Sequence, residues 1–397
     1  MRIGIDATCW ANTRGYGRFT RELVEAMVSG SGDQTFVCFL DELSAAGFQL
    51  RSPKLTTVVV DQTRAPTRAA SSGNRRSVRD MLRLTAAVRR EQLDVFLSPS
   101  VYTYFPLPVG LPAVVTIHDV IAERFPALTL PTWKDRWSWR AKVRLALMQS
   151  RIVRTVSEYA AREVSAHLGV NRDRLRVTLE GVSEIYRPSR SSIEIRAAAD
   201  RAGIPPGASW LMYVGGFGPH KNVDRIVRAH AEAVRRHRES PLMLLLVGHH
   251  DDGFHADVNS IRDAIRQSGT ENLVKWAGFL PDSEVRHLHS GAVALVIASA
   301  SEGFGLPAVE AARCGTPVIA TTESPLPEIL EGGGIFVEPG NVQALASAID
   351  RLVTNHDDRR DLGRRALERA SALSWSKSAA VVLAALEEAA GPRRKVA

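Results

Sequence analysis

The sequence has 397 residues, too many for one ordinary hydrophobic core, so we expect two domains of fewer than about 200 residues each. Charged residues make up 24% and hydrophobic residues 45%, which is typical of a folded soluble chain, and no apolar run approaches the length of a membrane span. The N-terminus enters a strand at once, which predicts no signal peptide, and three scattered cysteines without metal-ligand spacing favour a reducing cytoplasm: Cys9, Cys38 and Cys314.

The positive charge of the chain is concentrated in its first half. The formal net charge is +8; residues 1–188 hold 27 Lys and Arg against 18 Asp and Glu, whereas residues 189–397 hold 24 against 25. A basic half predicts an anionic ligand or surface for that half. Nucleic acid is the alternative partner, but the basic residues form no recognised nucleic-acid motif, so we expect no nucleic acid.

The chain opens with a predicted strand and a glycine-containing loop. Arg2–Ala7 is small and apolar, the loop Thr8–Tyr16 follows, and a helix is expected from about Gly17. Gly15 and Gly17 stand where the main chain must turn sharply or approach another group closely. A plain strand–helix turn is the alternative.

Further alternating elements complete the first half, and His118 directly follows one of its predicted strands, Ala113–Ile117. Ligands bind at the carboxyl ends of strands in open α/β sheets, although a lone histidine is more often structural. Arg64–Arg76 is predicted to be a mobile loop. The other predicted elements are the strands Thr35–Leu40, Thr56–Asp61, Asp94–Leu97, Arg151–Val156 and Leu175–Val182 and the helices Val78–Arg90 and Glu158–His167.

A helix predicted at Trp133–Ser150 has an apolar face beside a basic stripe. The apolar positions are Trp133, Trp137, Ala141, Leu145 and Met148, and the basic ones are Arg136, Arg140 and Arg144, with Lys134 and Lys142 close by. Such a helix can lie on an anionic membrane. The alternative is an apolar face packed on the core with a solvated basic face.

A second series of strands and helices follows a linker at Tyr186–Ser192. Its first strand, Ser209–Val214, ends in a glycine-rich turn that leads through His220 and Lys221 into a helix. Its further predicted strands are Leu242–Val247, Val274–Ala277, Val293–Ala298, Pro317–Thr321 and Ile335–Val337. The chain is therefore predicted to be an α/β protein of two Rossmann-like parallel αβα domains, residues 1–188 and 189–373.

The stretch between the predicted strands Val293–Ala298 and Pro317–Thr321 carries a pair of carboxylates. Glu302 precedes a glycine-rich turn, and Glu310 lies inside the helix that follows. Pro307 suits the first turn of that helix. The exposed N–H groups of a turn and a helix N-terminus can seat a phosphate, and a carboxylate can accept hydrogen bonds from sugar hydroxyls. The layout suits a sugar nucleotide; an ordinary βαβ crossover is the alternative.

These features occur in blocks that together resemble the retaining glycosyltransferases of family four. The blocks are EGFGLPAVEAARCGTPVIAT, whose two glutamates are separated by seven residues, YVGGFGPHKNVDRIVRAH, TIHDVIAERFP, RTVSEYAAREV and GYGRFTREL, in the family's order. The resemblance implies the GT-B fold, in which two such domains face a cleft. It also implies that residues 374–397 hold a C-terminal helix that crosses back to the first domain, followed by a basic tail at Arg393–Lys395.

The resemblance also implies roles for individual residues. His118 and Glu302 are expected to act in catalysis near the transferred hexose, and Glu310 is expected to bind the ribose. The expected donor-binding residues are Gly15, Gly17, Gly216, Lys221, Gly303, Phe304, Gly305, Leu306 and Glu310. Family members often carry an arginine where this chain has Gly216; Arg18 or His220 are the candidates to replace its phosphate contact. No metal and no cofactor are expected.

The implied function is transfer of a hexose, mannose first, from a nucleotide sugar to a glycan or glycolipid acceptor in cell-surface polysaccharide synthesis. GDP-mannose is the expected donor and a UDP-sugar the alternative. The expected location is the cytoplasm, with peripheral contact to the inner face of an anionic membrane. A sugar-nucleotide epimerase of GT-B fold and a catalytically silent glycosyltransferase-like scaffold are the competing functions.

Overall fold

The computed structural model describes residues 1–12, 15–64, 66, 77–237, 241–248 and 257–391. The chain divides into two compact units, one of Met1–Gly181 with Ser374–Ala397 and the other of Val182–Leu373. We call them unit 1 and unit 2. Most of the predicted loop Arg64–Arg76 and the basic tail Arg393–Lys395 lie outside the described residues.

Unit 1 is built on a seven-stranded parallel sheet with the order β3-β2-β1-β4-β5-β6-β7. Its central strands are apolar and buried along their whole length, as strands covered by helices on both faces must be. The strands are β1 (Arg2–Asp6), β2 (Thr35–Leu40), β3 (Leu55–Val59), β4 (Val95–Ser98), β5 (Ala113–Thr116), β6 (Ile152–Thr155) and β7 (Leu175–Val177). The helices are α1 (Gly15–Gly30), α2 (Glu42–Ala46), α3 (Val78–Arg90), α4 (Ile121–Arg124), α5 (Pro126–Thr129), α6 (Trp133–Gln149) and α7 (Glu158–Leu168).

Unit 2 repeats the plan with six parallel strands in the order β10-β9-β8-β11-β12-β13. The strand order changes direction between β8 and β11, so their carboxyl ends form the crevice at which such sheets bind ligands. The strands are β8 (Ser209–Val214), β9 (Leu242–Val247), β10 (Val274–Gly278), β11 (Ala294–Ile297), β12 (Val318–Thr321) and β13 (Gly334–Val337). The helices are α8 (Ser192–Arg201), α9 (Val223–Arg236), α10 (Val258–Ser268), α11 (Asp282–Gly291), α12 (Leu306–Arg313), α13 (Leu326–Ile329), α14 (Val342–Thr354) and α15 (His356–Ser371).

The prediction of two Rossmann-like parallel domains is confirmed, and the structure moves the boundary between them. The sequence placed it after residue 188, whereas unit 2 already begins at Val182. The reason is packing within unit 2: Tyr186 is buried and its hydroxyl donates to Asp282 Oδ1 at 2.9 Å. The main-chain N–H of Ser189 also donates to Ser290 Oγ at 2.9 Å.

The last helix, α16 (Trp375–Ala390), belongs to unit 1 and packs on α1, β4 and β5. It begins after Ser374, which has extended dihedrals, and so lies within the predicted segment 374–397. Gly181 lies against its first turn: a Cβ there would stand 2.2 Å from the main-chain nitrogen of Trp375. A glycine is therefore required where the chain passes this helix.

Candidate functional site

The turn between β11 and α12 has the backbone geometry that its glycines predict. Gly305 caps the helix with φ 91° and ψ 50°, a left-handed conformation that favours glycine. A Cβ on it would also lie 3.1 Å from Leu326 Cδ1. Leu306 is the first helical residue and Pro307 the second, where an N–H would have no helical partner. Ala308 and Val309 donate their N–H groups to the Gly305 carbonyl, so the N–H groups that an anionic ligand can reach here are those of Gly305 and Leu306, which have no main-chain acceptor among the described residues.

Lys221 and Glu302 meet at the carboxyl ends of β8 and β11. Lys221 Nζ donates to Glu302 Oε1 at 2.7 Å, and Ser299 Oγ donates to the same oxygen at 2.6 Å. Among the described residues, Asn222 is the non-glycine residue with a positive φ, and its Nδ2 donates to the Ala298 carbonyl at 2.9 Å. The turn after β8 and the turn after β11 are therefore held together by side-chain hydrogen bonds.

The carboxyl group of Glu302 is ionised at neutral pH. Burial raises its pKa, but the Lys221 ammonium and the hydrogen bonds from Lys221 and Ser299 outweigh burial, so the pKa lies below 4.5. Both donors use Oε1, and among the described residues Oε2 has no hydrogen-bond partner. This second oxygen can accept a hydrogen bond from a ligand hydroxyl.

His220 does not supply the positive charge that an arginine at position 216 would carry. Burial and, to a smaller extent, the charge of Lys221 lower the pKa of His220 to about 4 against the opposing effect of Glu302, so the ring is neutral at pH 7. The Tyr213 hydroxyl donates to the Gly216 carbonyl, and Gly216 has no side chain that could contact a phosphate. The cation beside this turn is therefore Lys221.

The remaining predicted residues of unit 2 lie around the same turn. Glu310 is buried on α12, one helical turn beyond its start, with 3% of its surface exposed. Gly303 and Phe304 are buried and Leu306 is half-buried. Unit 2 thus brings Lys221, His220 and Glu302 together, and it places Glu310 on the helix that follows.

In unit 1, His118 follows β5 and both of its ring nitrogens face oxygens of the protein. Nε2 lies 2.9 Å from the Pro99 carbonyl, and Nδ1 lies 3.3 Å from Glu180 Oε1. The ring packs edge-on against Phe19 of α1 with a centroid distance of 4.7 Å. The His118 side chain is 12% exposed.

The two glycines of the first loop differ in what surrounds them. A Cβ on Gly17 would stand 2.1 Å from the Asn12 carbonyl oxygen, whereas a Cβ on Gly15 would have nothing within 4 Å. The Asn12 amide also donates to the Tyr16 hydroxyl at 2.7 Å. Gly17 is therefore required by packing, and Gly15 is exposed. Arg18 is half-buried on α1.

Helix α6 exposes most of the apolar face that the sequence singled out, and Leu145 alone of that face is half-buried and packs on the core. Trp133 is 72% exposed, Trp137 69% and Met148 74%, and Arg140 and Arg144 are exposed beside them. The face that packs on the core consists instead of Trp139, Val143 and Ala146. The alternative in which the face of Trp133 and Trp137 packs on the core is therefore wrong. We call this exposed surface the tryptophan face; it consists of Trp133, Trp137, Arg140, Arg144 and Met148.

Sequence reasoning missed several residues of these sites. Ser299, Glu180 and Arg154 were not singled out, yet the first binds Glu302 and the second contacts His118. Arg154 could have been found from the sequence, because an arginine inside the predicted buried strand β6 indicates a buried polar group. Within the residues covered by the structure, no His, Cys, Asp and Glu cluster could hold a metal ion, and no helix is long and apolar enough to cross a bilayer.

Comparison with known proteins gives matches over both halves. Residues 13–184 match the family model described as Glycosyltransferase Family 4, and residues 195–369 match Glycosyl transferases group 1. The chain is 27% identical over 266 residues to the O-antigen chain mannosyltransferase B of Escherichia coli, covering 66% of this chain and 67% of that protein. It is 29% identical over 296 residues to the D-inositol 3-phosphate glycosyltransferase of Acidothermus cellulolyticus, covering 72% and 64%. The chain thus spans about two thirds or less of the length of these relatives.

Solved structures share the arrangement of both sheets. Sucrose-phosphate synthase from Thermosynechococcus elongatus superposes with a TM-score of 0.75 at 18% identity, over 96% of this chain and 97% of that chain. Anabaena Alr3699/HepE in complex with UDP and glucose superposes with a TM-score of 0.73 at 18% identity, over 97% and 98%. At these identities the likeness establishes the fold, GT-B.

Proposed function

Because the chain belongs to the glycosyltransferases of family 4 and group 1, we propose that it moves a hexose from a nucleotide-sugar donor to a glycan or glycolipid acceptor. The anomeric configuration is retained, the hexose is mannose and the donor is GDP-mannose, with a UDP-sugar as the second candidate. The product belongs to a cell-surface polysaccharide, and the reaction takes place in the cytoplasm at the inner face of the membrane.

The observation that carries this proposal is the Lys221–Glu302 pair at the carboxyl ends of β8 and β11. A departing nucleoside diphosphate gains negative charge as the glycosidic bond breaks, and a cation placed beforehand stabilises that charge. Lys221 supplies the cation, and Gly305 and Leu306 at the start of α12 supply main-chain N–H groups. Glu302 Oε2 accepts from the hexose, and Glu310 accepts from the ribose hydroxyls.

The chemistry needs no covalent intermediate with the protein. The acceptor hydroxyl attacks the anomeric carbon on the face that the diphosphate leaves, and the diphosphate oxygen takes the proton of that hydroxyl. The carboxylate of Glu302 remains an acceptor throughout, because its pKa is held low. Its task is to orient the hexose so that the acceptor reaches the correct face.

The donor is identified by ligand-induced stabilisation. The mannosyltransferase relative supports GDP-mannose, and the neighbour with bound UDP and glucose is the reason to include UDP-sugars. The experiment is a thermal-shift panel of GDP, GDP-mannose, UDP and UDP-glucose, since a ligand that binds only the folded state raises the Tm. We expect the guanine ligands to give the larger shift. A larger shift with UDP ligands would replace GDP-mannose, and release of nucleoside diphosphate only when an acceptor is present would separate transfer from epimerisation.

The acceptor is membrane-held, and the tryptophan face is the contact. Aromatic side chains beside arginines suit the headgroup layer of an anionic leaflet, to which each basic residue adds about 1 kcal/mol of attraction. A further exposed apolar side chain follows a segment attached to the end of α6: Gln149 binds the main chain of Leu107 through two hydrogen bonds of 3.0 Å, and Val109, two residues further along the chain, is fully exposed.

Co-sedimentation with anionic and neutral vesicles at low and moderate salt tests this contact. The double variant Trp133→Ser/Trp137→Ser should lose most of the binding. The control is Ile193→Ser in unit 2, which removes an equally exposed apolar side chain, 80% exposed, and should bind as the wild type does. Equal sedimentation of both variants would exclude the tryptophan face. Full activity on a soluble sugar acceptor, without vesicle binding, would exclude a membrane-held acceptor.

A further inference from the structure

The His118 side chain lies on ionisable residues that the proposed transfer does not use. Glu180 follows β7 and its side chain is 4% exposed, and Arg154 at the end of β6 is fully buried. Isolated buried charges are costly, so such residues are expected to stabilise one another or to serve a site. Both lie in unit 1, close to the ring of His118.

Two oxygens that can accept hydrogen bonds face the two nitrogens of the His118 ring. The Pro99 carbonyl can only accept, and it lies 2.9 Å from Nε2. The carboxylate of Glu180 also only accepts, and it lies 3.3 Å from Nδ1. A neutral imidazole has one N–H and would place a lone pair against one of these oxygens, whereas a doubly protonated ring satisfies both. The surroundings of the ring therefore favour the imidazolium.

Arg154 favours a negative charge on Glu180. Its guanidinium donates to the Thr178 carbonyl at 3.1 Å and to Thr116 Oγ1 at 3.4 Å, and it stands 4.8 Å from the centre of the Phe19 ring. Burial lowers the pKa of Arg154 to about 10 and Glu180 opposes this effect, so the group stays positive near neutral pH. In the described part of unit 1, Glu180 Oε2 is buried and has no hydrogen-bond partner.

We propose that Glu180 is a positioning residue that holds His118 in one orientation with a proton on each ring nitrogen, and that Arg154 keeps Glu180 ionised for this purpose. His118 then acts as a fixed positive ring and not as a general base. The other charged neighbour, Asp119, has an oxygen directed to the Ile121 N–H at 3.0 Å. The relevance of the pair to hexose transfer rests on the proposed function; the ionic state of the pair does not.

The test is ¹⁵N NMR of protein labelled at histidine, with the His118 signals assigned through His118→Gln. At pH 7 the wild type should show the shifts of a doubly protonated ring. In Glu180→Gln the ring should become neutral, because an amide can donate to Nδ1. Glu184→Gln removes an exposed carboxylate four residues further along the chain and is the matched control, with unchanged His118 signals expected. A neutral His118 in the wild type, which can be observed even if Glu180→Gln does not fold, would overturn the proposal. So would unchanged His118 signals in a folded Glu180→Gln protein.

Kinetics give the second measurement. By analogy with outer partners of metal-ligating histidines, Glu180→Gln should lower kcat by about tenfold or more while KM for the donor changes little. Glu184→Gln should leave both unchanged. A fall in kcat without a change in His118 protonation would assign Glu180 a different role. If no donor is turned over by the wild type, the proposed function fails, and the NMR result still decides whether Glu180 controls the ring.

Discussion

Replacing Lys221 by methionine tests whether the pair at the carboxyl ends of β8 and β11 is a buried ion pair. The variant keeps the aliphatic part of the side chain and removes the ammonium that donates to Glu302 Oε1 at 2.7 Å. Glu302 keeps one donor, Ser299. The negative charge of Glu302 is then largely buried and is compensated only by the hydrogen bond from Ser299.

The magnitude follows from the exposure of the two side chains. Breaking a fully buried pair costs about 3–5 kcal/mol, and an exposed pair contributes about 0.2–1 kcal/mol. With 22% and 14% of the side chains exposed, this pair lies between these limits, so we expect a loss of about 2 kcal/mol in the free energy of unfolding at pH 7.

The loss should depend on pH in a defined direction. The pKa of Glu302 is lowered in the folded wild type, so its contribution to stability is complete above 4.5 and is lost as pH falls through the folded pKa. In the variant the Lys221 charge is gone and burial pushes the pKa of Glu302 upward. Protonation of Glu302 in the variant then relieves the cost, and the two proteins should converge below about pH 4.5.

Urea unfolding at pH 7 and at pH 4, followed by tryptophan fluorescence and circular dichroism, measures both effects. Lys275→Met is the control, because Lys275 is half-buried on β10 and, within the described residues, has no ion-pair partner. The double variant Lys221→Met/Glu302→Gln should recover part of the loss, since no charge is left buried. A loss in Lys221→Met no greater than in Lys275→Met, or a loss independent of pH, would refute the ion pair.

Three further outcomes are expected. Gly17→Ala should lower the Tm by several degrees, because a Cβ would meet a main-chain oxygen at 2.1 Å, whereas Gly15→Ala should leave the Tm unchanged; equal Tm values would contradict the packing argument. Glu310→Ala should weaken nucleotide binding by about 1–3 kcal/mol in calorimetry, and Glu302→Ala should mainly lower kcat; wild-type kinetics in either would remove its assigned role. The pKa of His220 is about 4 in the folded protein and 6.5 in the unfolded chain. The free energy of unfolding should therefore decrease as the pH falls between these two values. His220→Gln should flatten that dependence in urea titrations, and an unchanged slope would argue against a neutral buried ring.

Much of the fold could be predicted from local sequence. Apolar runs such as Leu242–Val247 predict buried parallel strands because a strand covered on both faces must be apolar along its whole length. The glycine at position 305 and the proline at 307 predict where α12 begins, because each restricts or permits main-chain dihedrals at its own position. These properties depend on a few neighbouring residues and can therefore be predicted without knowledge of the tertiary structure.

The contacts of the candidate sites were decided by tertiary structure. Lys221 and Glu302 are far apart in the sequence and meet only because β8 pairs with β11, and Glu180 reaches His118 because β5, β6 and β7 are neighbours in one sheet. The pairing of strands over such separations follows from the packing of a whole unit, which no short pattern contains.

The sequence by itself determined two parallel α/β domains, the glycine turns and the residue types of the candidate sites. It left open which face of α6 meets the core, since apolar residues occur on both faces of that helix. Tertiary packing settled this by burying Trp139, Val143 and Ala146 and leaving Trp133 and Trp137 exposed. The physical reason is that hydrophobic burial is non-directional: a helix buries the apolar side chains that fit the neighbouring surface, and the shape of that surface exists only in the folded unit.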